Sequence, residues 1–253
     1  MQIKNVIHTW LLVFFISGVS LAQVKILAYK AGQLKSTRVK DSYDTKWPQL
    51  QLDLKAVKVN PDDFDIYMRA FKHEKLVEVW LKNTGDLKYK LFRTYDICAS
   101  SGDLGPKRKE GDGQVPEGFY KIDLFNPTSE YYLSMRINYP NASDVILKEG
   151  LSPGGAIMMH GDCVTIGCLP MTDEKIKELY VLCLEARNRN TPVYIDIYPA
   201  KFTPENLKML EEGYHKNKMS FWKTLKLGYD YFETNKWLPK INIDAKGKYV
   251  LRV

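Results

Sequence analysis

Cysteine and histidine are scarce in this chain, with four of each among 253 residues. Four cysteines (Cys98, Cys163, Cys168 and Cys183) are too few to build a disulfide scaffold. A chain of this size with 45% hydrophobic residues can also form a core without staples. A structural zinc site normally takes two close pairs of ligands, and His73, His215 and Cys98 each stand alone, so zinc is not expected. No segment is low in complexity and no internal repeat occurs, which excludes a solenoid. Long basic runs are missing too. The formal charge is +7, but the lysines are scattered, and the one tight run, Lys107-Arg108-Lys109, sits in a glycine-rich loop. Such a pattern reads as a solvated surface and not as a nucleic-acid footprint.

The first 22 residues read as a segment outside the fold. Lys4, an apolar run from Trp10 to Ile16 and the small-residue end Ser20-Leu21-Ala22 make the three regions of a secretory signal peptide, cut after Ala22. An uncleaved anchor would need an apolar run of about 20 residues, and this one is shorter. Without Lys4 the mature chain carries one charge less, +6. An exported protein of the periplasm or cell envelope is expected, with no stable membrane insertion after cleavage.

Residues 23–65 are mixed and predict an N-terminal segment packed on the domain after it, with a short helix after Pro48. From Ile66 the pattern turns to strands: "DIYMRAF" and "LVEVWLKN" flank a charged turn at Lys72 to Lys75, and "KYKLFRTYDI", "FYKIDLF", "YYLSMRINYP" and "AIMMHG" come next. Between them, "SSGDLGPKRKEGDGQVPEG" is a long Gly/Pro loop of the kind that often carries function. Ile176, Leu179, Tyr180 and Cys183 share one face of a helix, and "PVYIDIYP" returns to strand. Thr203-Pro204 predicts a helix start. The stripes Leu207, Leu210, Tyr214 and Trp222, Leu225, Tyr229, Phe232 predict two helices whose aromatics pack, and "KINIDAKGKYVLRV" a closing hairpin at Lys246-Gly247. The expectation is a mostly-β chain with α additions (α+β): a domain over 66–199 and a helical appendage with a terminal hairpin over 200–253.

The stretch "HGDCVTIGCLPMTD", His160 to Asp173, concentrates the chemistry. A metal site, a Cys163–Cys168 bridge and a nucleophile with its base are the three readings. A permanent bridge across so tight a loop faces severe geometric demands, although a reversible, inactivating one stays open. Cys168 follows Gly167 and precedes an acid-rich helix start, a setting that favours a thiolate. His160 ends an apolar strand and can take a thiol proton. Gly161 and Gly167 allow backbone amides to approach a reacting carbonyl. Cys163, flanked by Asp162, lacks that placement, while Cys98 and Cys183 read as core. Thr165 is either a hydrogen-bonding neighbour of the cysteine or a turn hydroxyl. Tyr139 and Asn141, in "NYPNASD", are candidates for lining a cleft or members of a plain turn.

His160-Gly161 followed by Thr165-x-Gly167-Cys168-x-x-Met171 resembles the signature of the L,D-transpeptidase (YkuD-type) catalytic domain. "DGQVPEGFYKI", Asp112 to Ile122, resembles the start of a strand in that family. "NYPNASD" and the His160–Asp173 stretch are most similar to its YafK branch. The resemblance covers roughly 66–199. It implies a β-sandwich that holds Cys168 at a cleft mouth, no metal or organic cofactor, and acyl transfer on peptidoglycan stem peptides. Cys168 would form a thioester at the L-centre of a diaminoacyl residue, with His160 as acid and base. One departure is Pro170, where most of the family has arginine. The YafK branch lacks it too, and there the implied activity is hydrolytic release of a wall-anchored lipoprotein. Two rivals remain: a hydrolase of the same fold, and a catalytically inactive wall-binding module. An activated Cys168 predicts rapid alkylation at mildly acidic pH.

Overall fold

The computed structural model describes residues 29–189, 191–213 and 216–252; the signal segment expected over 1–22 lies outside them, as does Tyr214. Alternation with a period of two sorts the central strands. In β1 (Phe64–Phe71), Ile66, Met68 and Ala70 enter one core. Tyr67, Arg69 and Phe71 point to the opposite face of the sheet. β2 (Leu76–Asn83) divides likewise, with Val77, Val79 and Leu81 on the first face and Trp80 on the second. β8 (Val193–Tyr198) sends Ile195 and Ile197 one way and Tyr198 the other. These strands are covered on both sides, so nearly every position in them is buried.

Together with β3 (Lys90–Asp96), β4 (Gly118–Asn126), β5 (Ser134–Ile137), β6 (Met158–His160) and β7 (Leu169–Pro170), they form one mixed eight-stranded sheet. Its order is β3-β2-β1-β8-β4-β5-β6-β7. β1 pairs in parallel with β8, and β6 with β7; the other pairs are antiparallel. The predicted α+β class and the hairpin at Lys72–Lys75 are found as expected.

The first face is covered by two helices, α1 (Thr37–Ala56) and α3 (Asp173–Arg187). α1 is longer than the short helix expected after Pro48. Val39, Tyr43, Trp47, Leu50 and Leu54 form one stripe packed on the core, and this packing carries the helix through Pro48 at the loss of one backbone bond. α2 (Ala142–Ile146) is a short helix in the loop after β5, capped by Asn141.

The second face is covered by α4 (Pro204–Glu212), α5 (Met219–Asn235) and a hairpin of β9 (Lys240–Ile243) and β10 (Tyr249–Arg252). Trp222, Leu225, Tyr229 and Phe232 are buried here, as their spacing predicts. At the centre Arg69, 2% exposed, is bonded to Glu78 and Glu233 and lies among the rings of Phe71, Trp80, Tyr229 and Phe232.

The Gly/Pro loop before β4 is tied down by Glu117. This fully buried carboxylate accepts from the Gly105 N–H (2.6 Å) and from Trp222 Nε1 of α5 (2.7 Å), and pairs with Lys72 (3.1 Å). The solvated reading of the basic run holds for Lys109, which is exposed, and fails for the other two. Lys107 and Arg108 are buried because Asp112 and Asp144 pair with them at 2.6 and 3.0 Å, which removes the cost of leaving the charges unpartnered.

Candidate active site

Cys168 lies on a turn whose hydrogen bonds run through one hydroxyl. Thr165 Oγ1 accepts from the N–H groups of Gly167 (3.2 Å) and Cys168 (2.9 Å) and donates to the Cys168 carbonyl (2.9 Å). Gly167 has φ +131°, and a Cβ there would stand 3.0 Å from the Gln114 carbonyl oxygen, so this position needs glycine. The turn ends in the two residues of β7, and Thr172 then caps α3. Cys168 is thus five residues short of the helix. The helix-dipole argument for its thiolate fails, because that field fades within the first turn.

The thiol itself accepts a hydrogen bond from the Met158 N–H (3.4 Å) and faces the Ala156 carbonyl (3.9 Å). It opens into a cavity of about 400 Å³ that is also lined by Ile97, Ser101, Val115, Leu169 and Met209. Met209 belongs to α4, so the C-terminal segment forms one wall.

His160 ends β6 and pairs with Pro170 of β7, two residues beyond the cysteine. The ring is buried and lies tilted against Tyr131, with centroids 4.7 Å apart. Its Nδ1 is 2.5 Å from the Gly161 carbonyl oxygen. A carbonyl can only accept, so Nδ1 carries the proton and Nε2 is left as the basic nitrogen. Gly161 leaves no room for a side chain: a Cβ would meet Asp173 Oδ1 at 2.5 Å and the Tyr131 carbonyl oxygen at 2.9 Å. Its own N–H donates to Leu133 O (3.0 Å). The N–H groups of Gly161, Gly167 and Cys168, the nearest candidates for an oxyanion site, are therefore all engaged.

Electrostatically both Cys168 and His160 rest neutral. Burial pushes the Cys168 thiol up, and the Met158 N–H and the Lys107 charge only partly offset it. Burial pulls the His160 imidazole below its ordinary value, opposed by the Gly161 carbonyl and Asp162. At neutral pH these shifts favour a neutral thiol and a neutral imidazole over a preformed ion pair.

The other cysteines differ from expectation in one respect. Cys98 and Cys163 form a disulfide, with Cα atoms 5.5 Å apart. Cys98 is therefore not a core thiol, and Cys163 is neither free for zinc nor bridged to Cys168. Cys183 is free and buried in α3, as expected. The pairing was hidden because a separation of 65 residues carries no local signal. Tyr139 and Asn141 line no part of the cavity around Cys168. The Tyr139 hydroxyl donates to Pro153 O (2.9 Å), while Asn141 caps α2 and donates to Phe119 O and Tyr249 Oη.

Residues 56–195 match the model of the L,D-transpeptidase catalytic domain, YkuD, which is more than half of the chain. YafK of Escherichia coli (strain K12), a candidate L,D-transpeptidase, is 38% identical over 189 residues, covering 74% of this chain and 73% of its own. The chain belongs to the YkuD L,D-transpeptidase family. Among solved structures, this L,D-transpeptidase-family chain is similar to the helical cell shape determining protein Pgp2 from Campylobacter jejuni, at 18% identity and a TM-score of 0.44. The match covers 72% of this chain and 74% of that one. Bd1075 of Bdellovibrio bacteriovorus is also similar, at 19% identity and a TM-score of 0.39, covering 67% of this chain and 63% of that one. No described helix of this family member is long and apolar enough to cross a membrane. Among the described residues, no group of three or more His, Cys, Asp or Glu could hold a metal ion.

Proposed function

We propose that this chain is an exported cysteine acyl-transfer enzyme of the cell envelope that acts on peptidoglycan stem peptides. One observation carries the reading. Cys168 is a free thiol that opens into a cavity, and the neighbouring strand ends in a histidine whose tautomer is set by its own backbone.

The chemistry starts from the neutral pair. His160 Nε2 takes the thiol proton as Sγ attacks the carbonyl at the L-centre of a diaminoacyl residue. The C–S bond forms, the carbonyl oxygen becomes an oxyanion, and the imidazolium returns its proton to the departing amine as the C–N bond breaks. A thioester and a free amine result. An incoming amine or water then attacks the thioester, His160 removes its proton, and Sγ leaves and is reprotonated. To stabilise the oxyanion, the Gly167 and Cys168 N–H groups must exchange Thr165 Oγ1 for substrate oxygen.

The same sequence of steps with water is the second reading, favoured by Pro170 in place of the family's usual arginine. It would release a protein linked to the wall, a wall-anchored lipoprotein among the candidates. Mass-spectrometric product analysis separates the two. The chain and its Cys168→Ala variant are incubated with tetrapeptide muropeptides and with protein-linked wall fragments, with and without an amine acceptor. Amine-exchanged or crosslinked products absent from the variant establish a transferase. Shortened peptides or released protein alone establish a hydrolase. If every substrate is unchanged while Cys168 is free and reduced, the reading fails.

A further inference from the structure

A second cavity, of about 680 Å³, lies between the sheet and the C-terminal hairpin and shares no residue with the cavity around Cys168. Its sheet side is set by register. β4 and β8 pair Lys121 with Tyr194 and Phe119 with Asp196, so these four side chains share the face that the appendage covers. The opposite side is the hairpin, with Lys240 and Asn242 from β9 and Arg252 from β10.

Asp196 is the informative residue. It is 6% exposed, and Oδ2 accepts from both Tyr67 and Tyr198. Oδ1 has no hydrogen-bond partner among the described residues, and Asp196 is one of the residues that line the cavity. A nearly buried carboxylate oxygen without a donor is costly, and a ligand hydroxyl or amide N–H would satisfy it. Burial raises this carboxyl to about 7, which reflects the same lack of solvation.

Around the rim, Lys121, Lys240 and Arg252 are exposed and form no ion pair among the described residues. Tyr194 presents a ring that is 41% exposed, and its hydroxyl has no partner among the described residues. A ligand that fits must offer donors to the floor, sparse negative charge to the rim and an apolar face to Tyr194. A polyphosphate or a densely anionic surface meets only the second requirement and would be repelled by Asp196. A glycan strand of amino sugars meets all three through its hydroxyls, its ring faces and the lactyl carboxylates of those residues that carry no stem peptide.

We infer that this cavity is a saccharide site that takes the glycan strand of peptidoglycan, apart from the site that handles the stem peptide. The choice of ligand rests on the peptidoglycan reading of the Cys168 site. Binding both parts of one polymer would raise the effective concentration of stem peptides at Cys168 without any new contact there.

The test uses the full chain carrying Cys168→Ala, so that no turnover intervenes, and peptide-free glycan chains as the probe in titration calorimetry. Saturable binding is expected, weakened tenfold or more by Tyr194→Ala and by Lys121→Glu, both at exposed positions. Absence of saturable binding overturns the inference, as does equal binding by the variants. It also falls if short polyphosphate or anionic vesicles bind as tightly as glycan and lose binding in the same variants, because the cavity is then only a cationic surface. Glycan binding by a chain inactive on every stem peptide would sink the enzyme reading and leave this site standing. Stem-peptide turnover without glycan binding would do the reverse.

Discussion

The Cys98–Cys163 disulfide joins the two segments that frame Cys168. Cys98 leads directly into Ala99–Leu104, part of the wall of the cavity, and Cys163 begins the loop that delivers Cys168. The Cys98 N–H also donates to Pro170 O (3.1 Å), so the bridge clamps the wall to β7 from both ends.

Closing a separation of 65 residues removes chain entropy from the unfolded state, which in the loop-closure model is worth about 4 kcal/mol. Reduction, or Cys98→Ser, is expected to lower the denaturant midpoint accordingly. Under denaturing conditions the oxidised chain should titrate two thiols, Cys168 and Cys183, and four after reduction. An unchanged midpoint, or four thiols before reduction, would remove the bridge.

Alkylation of Cys168 should be slow at mildly acidic pH and should climb only as pH passes the ordinary thiol value of about 8.5. Burial has raised the thiol, so the reactive thiolate is present above that value and lost as pH falls through it. Catalysis is expected to begin at lower pH than alkylation. It needs only neutral His160, and burial has moved that titration below the ordinary histidine value. Fast labelling near pH 5 would instead establish the preformed ion pair that the sequence suggests.

Removing the catalytic groups one at a time should separate their roles. Cys168→Ala is expected to abolish thioester formation. His160→Ala should slow acylation by about two to four orders of magnitude, the range for a positioned acid and base. Cys163→Ala should keep the acylation rate per folded molecule while losing the stability of the bridge. Equal loss of chemistry at both cysteines would undo the assignment.

Thr165→Val removes the acceptor for two N–H groups and the donor to the Cys168 carbonyl. We expect a loss of about 1–3 kcal/mol in denaturation, from groups left unsatisfied, together with slower acylation. Thr165→Ser should restore both, and its failure to do so would show that the methyl group matters and the hydroxyl does not.

Arg69→Ala removes one of the two cations paired with buried Glu78, leaving Lys201 at 2.7 Å, and is expected to cost about 3 kcal/mol. Arg69→Met combined with Glu78→Gln should recover much of that loss, because the apolar side chain keeps the packing and the charges left over, Lys201 and Glu233, are partly exposed and reach water. A double variant as unstable as the single one would assign the loss to ring packing and not to charge.

Much of this molecule is local and therefore legible in the sequence. Alternation along β1, β2 and β8 reports which side chains face each core, because successive residues in a strand point to opposite faces. Helical spacing marks Ile176 to Cys183 and Trp222 to Phe232, and glycine beside Cys168 marks a close approach of backbone, here to Gln114. What the sequence could not decide depends on segments far apart in the chain. Pairing Cys98 with Cys163, burying Lys107 and Arg108 against Asp112 and Asp144, and placing Met209 on the wall of the cavity all require the completed fold. The state of the thiol belongs to the same class. Sequence proximity to a helix suggested a thiolate, but the desolvation that sets its proton affinity comes from the atoms packed around Cys168 in space, and only the tertiary structure supplies those.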